Sequence, residues 1–173
     1  MRRVSYWGLL CCLTLEWLVL GVWIGGMIVL VGAVIPAVFN TFGGQDSGGL
    51  FLTRAFEGYH RFVIGAMAVL CAVAAYRWWS REPAVAVGRG EIIVLALMVA
   101  IAAVVILALH PQAVALQAQA FAAHEEAAKK AAFESLFRVL LPIRVLDIGN
   151  LVLGVLLIGI KSQRTIRPSG AGL

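Results

Sequence analysis

Residues 17–44, WLVLGVWIGGMIVLVGAVIPAVFNTFGG, decide the fold. From Trp17 to Phe39 no residue is charged, and a helix needs only about 20 apolar residues to cross the hydrocarbon core of a bilayer. Gly21 and Gly25 stand one helical turn apart. That face of the helix is almost free of side chains, so a second helix can pack closely against it. Pro36 near the far end predicts a kink, and Gly43-Gly44 an abrupt exit.

The rest of the chain has the same character. Of 173 residues, 62% are hydrophobic and 13% charged, against roughly 25% charged in a soluble domain. Mean hydropathy is +0.95. Three further apolar runs, 62–79, 92–109 and 143–160, each reach the length of a span. The expected fold is all-α, one integral membrane domain over residues 1–173, with spans at about 17–39, 62–79, 92–109 and 143–160. No internal repeat is expected. The start, MRRVSYWGLLCCLTL, imitates a signal peptide. Glu16 breaks its apolar run and no small-residue cleavage pattern follows, so it is read as part of the first helix.

The net charge of +5 would suggest nucleic acid in a soluble protein. Here the bases flank apolar runs, so the bilayer is the implied partner and nucleic acid is not. On one side of four crossings lie Arg2, Arg3, Arg77, Arg81, Arg89, Lys161, Arg164 and Arg167, against Glu82 and Glu91. On the other, Arg54, Arg61, Lys129, Lys130 and Arg138 are balanced by Asp46, Glu57, Glu125, Glu126 and Glu134. The positive-inside rule then places both termini in the cytoplasm of a bacterial inner membrane. Tyr76, Trp78 and Trp79 suit an aromatic belt on the same face. Residues 112–141 are alanine-rich, with Glu125–Lys129 and Glu126–Lys130 at i,i+4. They are expected to form an extracytoplasmic amphipathic helix that enters the fourth span near Pro142. Cys11, Cys12 and Cys71 are expected as buried, reduced thiols.

Polar residues inside apolar runs are the candidate functional groups, because each is costly in lipid unless paired or wet. Arg144, Asp147 and Asn150 share one face of the fourth span. They form either an inward-facing structural ion pair or a polar patch along a transport route. Glu16 is expected to reach interfacial water. His60 and His110 end different spans at similar depth, the minimum arrangement for a b-type haem. With His124 and Glu57 they could instead hold copper or zinc. Against both stands the simpler placement of these histidines among lipid headgroups. No CxxCH, HExxH, Walker or GxGxxG pattern is present.

Trp23-Ile-Gly25-Gly26, then Pro36-Ala-Val-Phe39, then Gly48-Gly49 ahead of Phe56-x-x-Tyr59, resemble the transmembrane protein 205-like family and a related bacterial domain of unknown function. Pro111, Phe133 and Asn150 extend the resemblance along the chain. It implies four membrane helices and no particular reaction; eukaryotic members of that family are associated with tolerance of platinum compounds. A more distant similarity to copper-resistance membrane domains keeps a metal role open. Where relatives carry a histidine near the start of the last helix, followed by serine and asparagine, this chain has Arg144, Asp147 and Asn150. The functional expectation is a non-enzymatic membrane bundle without a cofactor, self-associated or an accessory subunit of a membrane complex. The alternatives are a haem or copper subunit using His60 and His110, and a solute- or metal-transport or resistance component.

Overall fold

The structure, a computed structural model, describes residues 6–42, 46–80, 85–123 and 125–166. It consists of four helical rods. Helix α1 (Tyr6–Val29) continues through a π-helical turn at Leu30–Val34 into α2 (Ile35–Phe42). Helix α3 (Asp46–Ser80) is the second rod. Helix α4 (Arg89–Val104) passes through a π-helical turn at Val105–Leu109 into α5 (His110–Ala122), and α6 (Glu126–Ile166) is the fourth. All four are long and apolar enough to span a membrane, over Trp7–Phe42, Ser47–Ser80, Arg89–Ala122 and Ala127–Gln163. At 1.5 Å per residue such rods measure roughly 50 Å, against about 30 Å of hydrocarbon. They must therefore project or tilt.

Both π-helical turns have the same cause. A proline ring collides with the carbonyl four residues before it and donates no hydrogen bond. The residues four before Pro36 and Pro111 are Gly32 and Leu107, each within its widened turn, where the extra residue makes room for the ring. The expected irregularity at Pro36 is thus a π turn. Pro142, by contrast, lies within continuous helix.

The central core is built from Leu20, Trp23, Val63, Ala66, Leu70, Leu95, Met98 and Leu157. A second cluster, Val105, Ala113, Leu136 and Ile143, joins α5 to the first half of α6. The stretch expected as one amphipathic helix at 112–141 is divided by this arrangement. Residues up to Ala122 prolong the third rod, Ala123 turns in extended conformation, and α6 returns alongside. Phe121 meets Phe133 across the hairpin, ring centroids 6.1 Å apart. Of its alanines, Ala113 and Ala120 are buried and let the two helices approach, while Ala127, Ala128 and Ala131 remain exposed. The entry of that stretch into the fourth span near Pro142 is as expected.

The bundle also has a repeat that the sequence conceals. Glu16, Leu20, Trp23, Met27, Leu30 and Pro36 in the first rod have counterparts at identical spacing in the third: Glu91, Leu95, Met98, Ala102, Val105 and Pro111. Apart from the prolines, all are buried. In the second and fourth rods Ala66, Leu70, Val73 and Arg77 correspond to Asn150, Gly154, Leu157 and Lys161, again all buried. The closest packing is within each half, α1 on α3 and α4–α5 on α6. The expectation of no repeat is corrected. What repeats is burial and the two π turns, while the apolar identities have drifted.

Candidate functional site

The inward stripe of each rod carries a charged residue at the same end of the bundle. Glu16 on α1, Arg77 on α3, Glu91 on α4 and Lys161 on α6 are 2%, 5%, 2% and 8% exposed. The Arg77 guanidinium donates from Nη1 to both Glu16 oxygens (3.1 and 2.8 Å) and to Glu91 Oε1 (2.6 Å). Its Nη2 reaches Glu91 Oε2 at 3.5 Å. The Lys161 ammonium lies 2.5 Å from Glu16 and 2.6 Å from Glu91. Each acid therefore meets both bases, and the quartet is neutral. Taking one ion out of water costs several kcal/mol, which only close, well-satisfied geometry can offset. Arg77 Nε donates to the carbonyl of Val85 (3.0 Å), tying the α3–α4 connection to the same centre. Arg77 in the last turn of α3 and Glu91 in the first turn of α4 also suit the helix dipoles.

Glu16 thus does not reach interfacial water, and Arg77, Glu91 and Lys161 are interior groups rather than loop charges. The signal that could have found them is the i, i+3/i+4 apolar stripe in each rod, which runs straight into a charge.

Toward the other end, His60 and His110 are brought together. Their rings meet edge to face with centroids 4.5 Å apart. His60 is 6% exposed, flanked by Phe56 and Tyr59, and among the described residues neither of its nitrogens has a hydrogen-bond partner. The carboxylate of Glu57 is held by Arg54 (3.1 Å) and Arg61 (2.7 Å). Among the described residues no cluster of three His, Cys, Asp or Glu side chains is placed to hold a metal. His124 lies outside the described residues.

Arg144 and Asp147 form no ion pair with each other. Arg144 is exposed, whereas Asp147 is half-buried and Asn150 buried. Three residues along a helix turn the side chain by about 60° short of a full circle, enough to point Arg144 outward and Asp147 into the bundle. The inward-facing pair expected here is replaced by an inward-facing Asp147–Asn150 step lining a small cavity with Trp23, Met27, Tyr59 and Met98.

Among the described residues Gly21 and Gly25 meet no other helix, since a Cβ at either would find nothing within 4 Å. The close approaches are at Gly26, against Tyr59, and at Gly154, where a Cβ would sit 2.8 Å from Ile24 Cδ1. The cysteines are free, with Cys11 and Cys71 exposed and Cys12 half-buried, so they are not the buried thiols expected.

A family model described as Domain of unknown function (DUF4149) matches residues 18–122. The chain belongs to this family. The DUF4149 match runs from Leu18 in the first rod to the end of the third, including Arg77, Glu91, His60 and His110, and leaves out Glu16, Asp147, Asn150 and Lys161. No curated protein and no solved structure matches the chain.

Proposed function

We propose that this protein is a non-enzymatic subunit of a bacterial inner membrane, a clasped four-span bundle that acts by associating with other membrane proteins or with itself. The observation that carries this reading is the quartet. The four ionised groups best placed for chemistry are consumed by one another, one from each rod, and fix which helices meet. The open glycine face at Gly21 and Gly25 supplies a surface on which another helix can approach. The tie to transmembrane protein 205-like proteins rests on the Trp23 to Tyr59 pattern and accords with this reading.

Both termini are assigned to the cytoplasm. With Arg77, Glu91 and Lys161 removed from the tally, Arg2, Arg3, Arg81, Arg89, Arg164 and Arg167 still face only Glu82, while the opposite end stays balanced. Cross-linking in native membranes tests the association: wild type should give a discrete adduct, and Gly25→Leu should lose it while keeping its fold. Equal cross-linking of both would overturn the reading.

The buried, unpartnered nitrogens of His60 favour a second reading, a metal-binding subunit. The edge contact with His110 leaves no slot for a porphyrin between the rings, so haem does not fit this arrangement. His60 and His110 would instead supply two imidazole nitrogens to a copper ion, a donor set that suits that metal. Metal analysis of the purified protein, with His60→Phe as control, tests it.

A further inference from the structure

Asp147 and Asn150 present a different problem from the quartet. Asn150 is 7% exposed, and among the described residues its Oδ1 has no hydrogen-bond partner. Asp147, one turn away, makes no ion pair or hydrogen bond among the described residues. Both line a small cavity of about 10 Å³, together chiefly with Trp23, Met27, Tyr59 and Met98. That volume is close to the room one water or one small ion requires.

Tyr59 spends its hydroxyl proton on the carbonyl of Trp23 (3.0 Å), so its oxygen offers the cavity only lone pairs. Asp147 contributes carboxyl oxygens and Asn150 contributes Oδ1. Facing them are Trp23 and Met27 from α1 and Met98 from α4, uncharged side chains of which only the Trp23 indole carries a donor, with Tyr59 the titratable group from α3. The neutral quartet lies beyond the apolar layer of Leu20, Leu70 and Leu157. Arg144, on the same helix, is exposed. An amide oxygen without a partner beside a carboxyl without an ion pair calls for a donor or a cation, and an unneutralised carboxylate inside a membrane bundle is strongly disfavoured.

We propose that Asp147 and Asn150 form an intramembrane binding site for one monovalent cation, a proton or a sodium ion. In the proton-loaded form the Asp147 carboxyl donates to Asn150 Oδ1, directly or through one water. In the sodium-loaded form both side chains supply oxygen ligands. The site has no counterpart in the other half of the bundle, where Val63 and Ala66 occupy the corresponding places.

The test is labelling of the purified full-length protein in lipid nanodiscs with dicyclohexylcarbodiimide, which reacts with protonated carboxyls in apolar surroundings, read by peptide mass spectrometry. Asp147 should be labelled, whereas Glu16 and Glu91, held by Arg77 and Lys161, should not. Above its titration midpoint the label should fall about tenfold per pH unit. Protection by sodium chloride but not by choline chloride identifies sodium; titration without protection identifies the proton. Absence of label at Asp147, or label no greater than at the quartet acids, overturns the proposal. Asp147→Asn guards against a reactivity artefact, because a neutral isostere should leave the melting temperature unchanged if the carboxyl is already neutralised. A marked loss of stability in that variant would mean that Asp147 acts as a fixed anion, and would equally overturn it. Neither readout depends on association through the glycine face, so the two proposals fail separately.

Discussion

Lys161→Met removes the ammonium that touches both acids of the quartet, at 2.5 Å from Glu16 and 2.6 Å from Glu91. Methionine keeps most of the lysine stem, so packing around Leu157 changes little. What remains is two carboxylates, each 2% exposed, sharing the guanidinium of Arg77. One negative charge is left without compensation in a buried site. Breaking a buried pair from one side costs about 3–5 kcal/mol. Adding Glu91→Leu restores neutrality and leaves the Arg77–Glu16 pair at 2.8 Å. Exchanging a whole buried pair for apolar groups is often neutral or stabilising, so the double variant should be more stable than Lys161→Met by roughly 2 kcal/mol or more. Equilibrium unfolding of the four proteins of this cycle in mixed micelles, followed by circular dichroism, measures the coupling. Losses that simply add would refute an interacting quartet.

Other outcomes follow from the same geometry. Arg77→Lys should destabilise by about 1.5–3 kcal/mol despite keeping the charge, since lysine cannot serve Glu16, Glu91 and the Val85 carbonyl from one fork; stability equal to wild type would show that Arg77 acts as a point charge. Gly154→Ala should cost about 1–3 kcal/mol through the clash with Ile24, whereas Gly21→Ala should stabilise the isolated chain by about 0.5–1 kcal/mol; melting curves of the two variants compare them directly. His60→Phe should stabilise the metal-free protein, because it removes two buried nitrogens without partners, a burden of about 1–3 kcal/mol each. Reporter fusions after Gly44, Arg81, Glu125 and Gln163 should alternate outside, inside, outside, inside; a reporter found outside after Gln163 would reverse the topology.

The four-rod fold is legible because a span announces itself by length and lack of charge, and Trp17–Phe39 has both. The juxtaposition of His60 and His110 is legible for a similar reason, since residues at matching ends of neighbouring spans must lie at similar depth. The quartet was harder to see. Arg77, Glu91 and Lys161 sit at the ends of apolar runs, where a charge ordinarily marks a loop, and a tally by loops treats them as topology signals. Only the packing shows that each one terminates an inward stripe. The Arg144–Asp147 expectation failed because helical spacing gives reach, not direction: Arg144 faces outward. The α5–α6 hairpin was hidden by composition, as alanine suits a close helix pair and a surface helix equally well. The repeat escaped notice because Leu20/Leu95 and Pro36/Pro111 are identities separated by freely exchanged apolar residues.

The most direct test of a charge quartet joining all four rods is a nitrogen–carbon distance measured by solid-state NMR in lipid bilayers. Lysine is labelled with ¹⁵N at Nζ and glutamate with ¹³C at the carboxyl, in a background where Lys129→Arg and Lys130→Arg leave Lys161 as the sole lysine. Strong dephasing of the Lys161 signal by carboxyl carbons should be observed, weaker in Glu16→Gln or Glu91→Gln and absent when both are changed. A Lys161 ammonium with no carboxyl coupling, exchanging freely with water, would contradict the quartet.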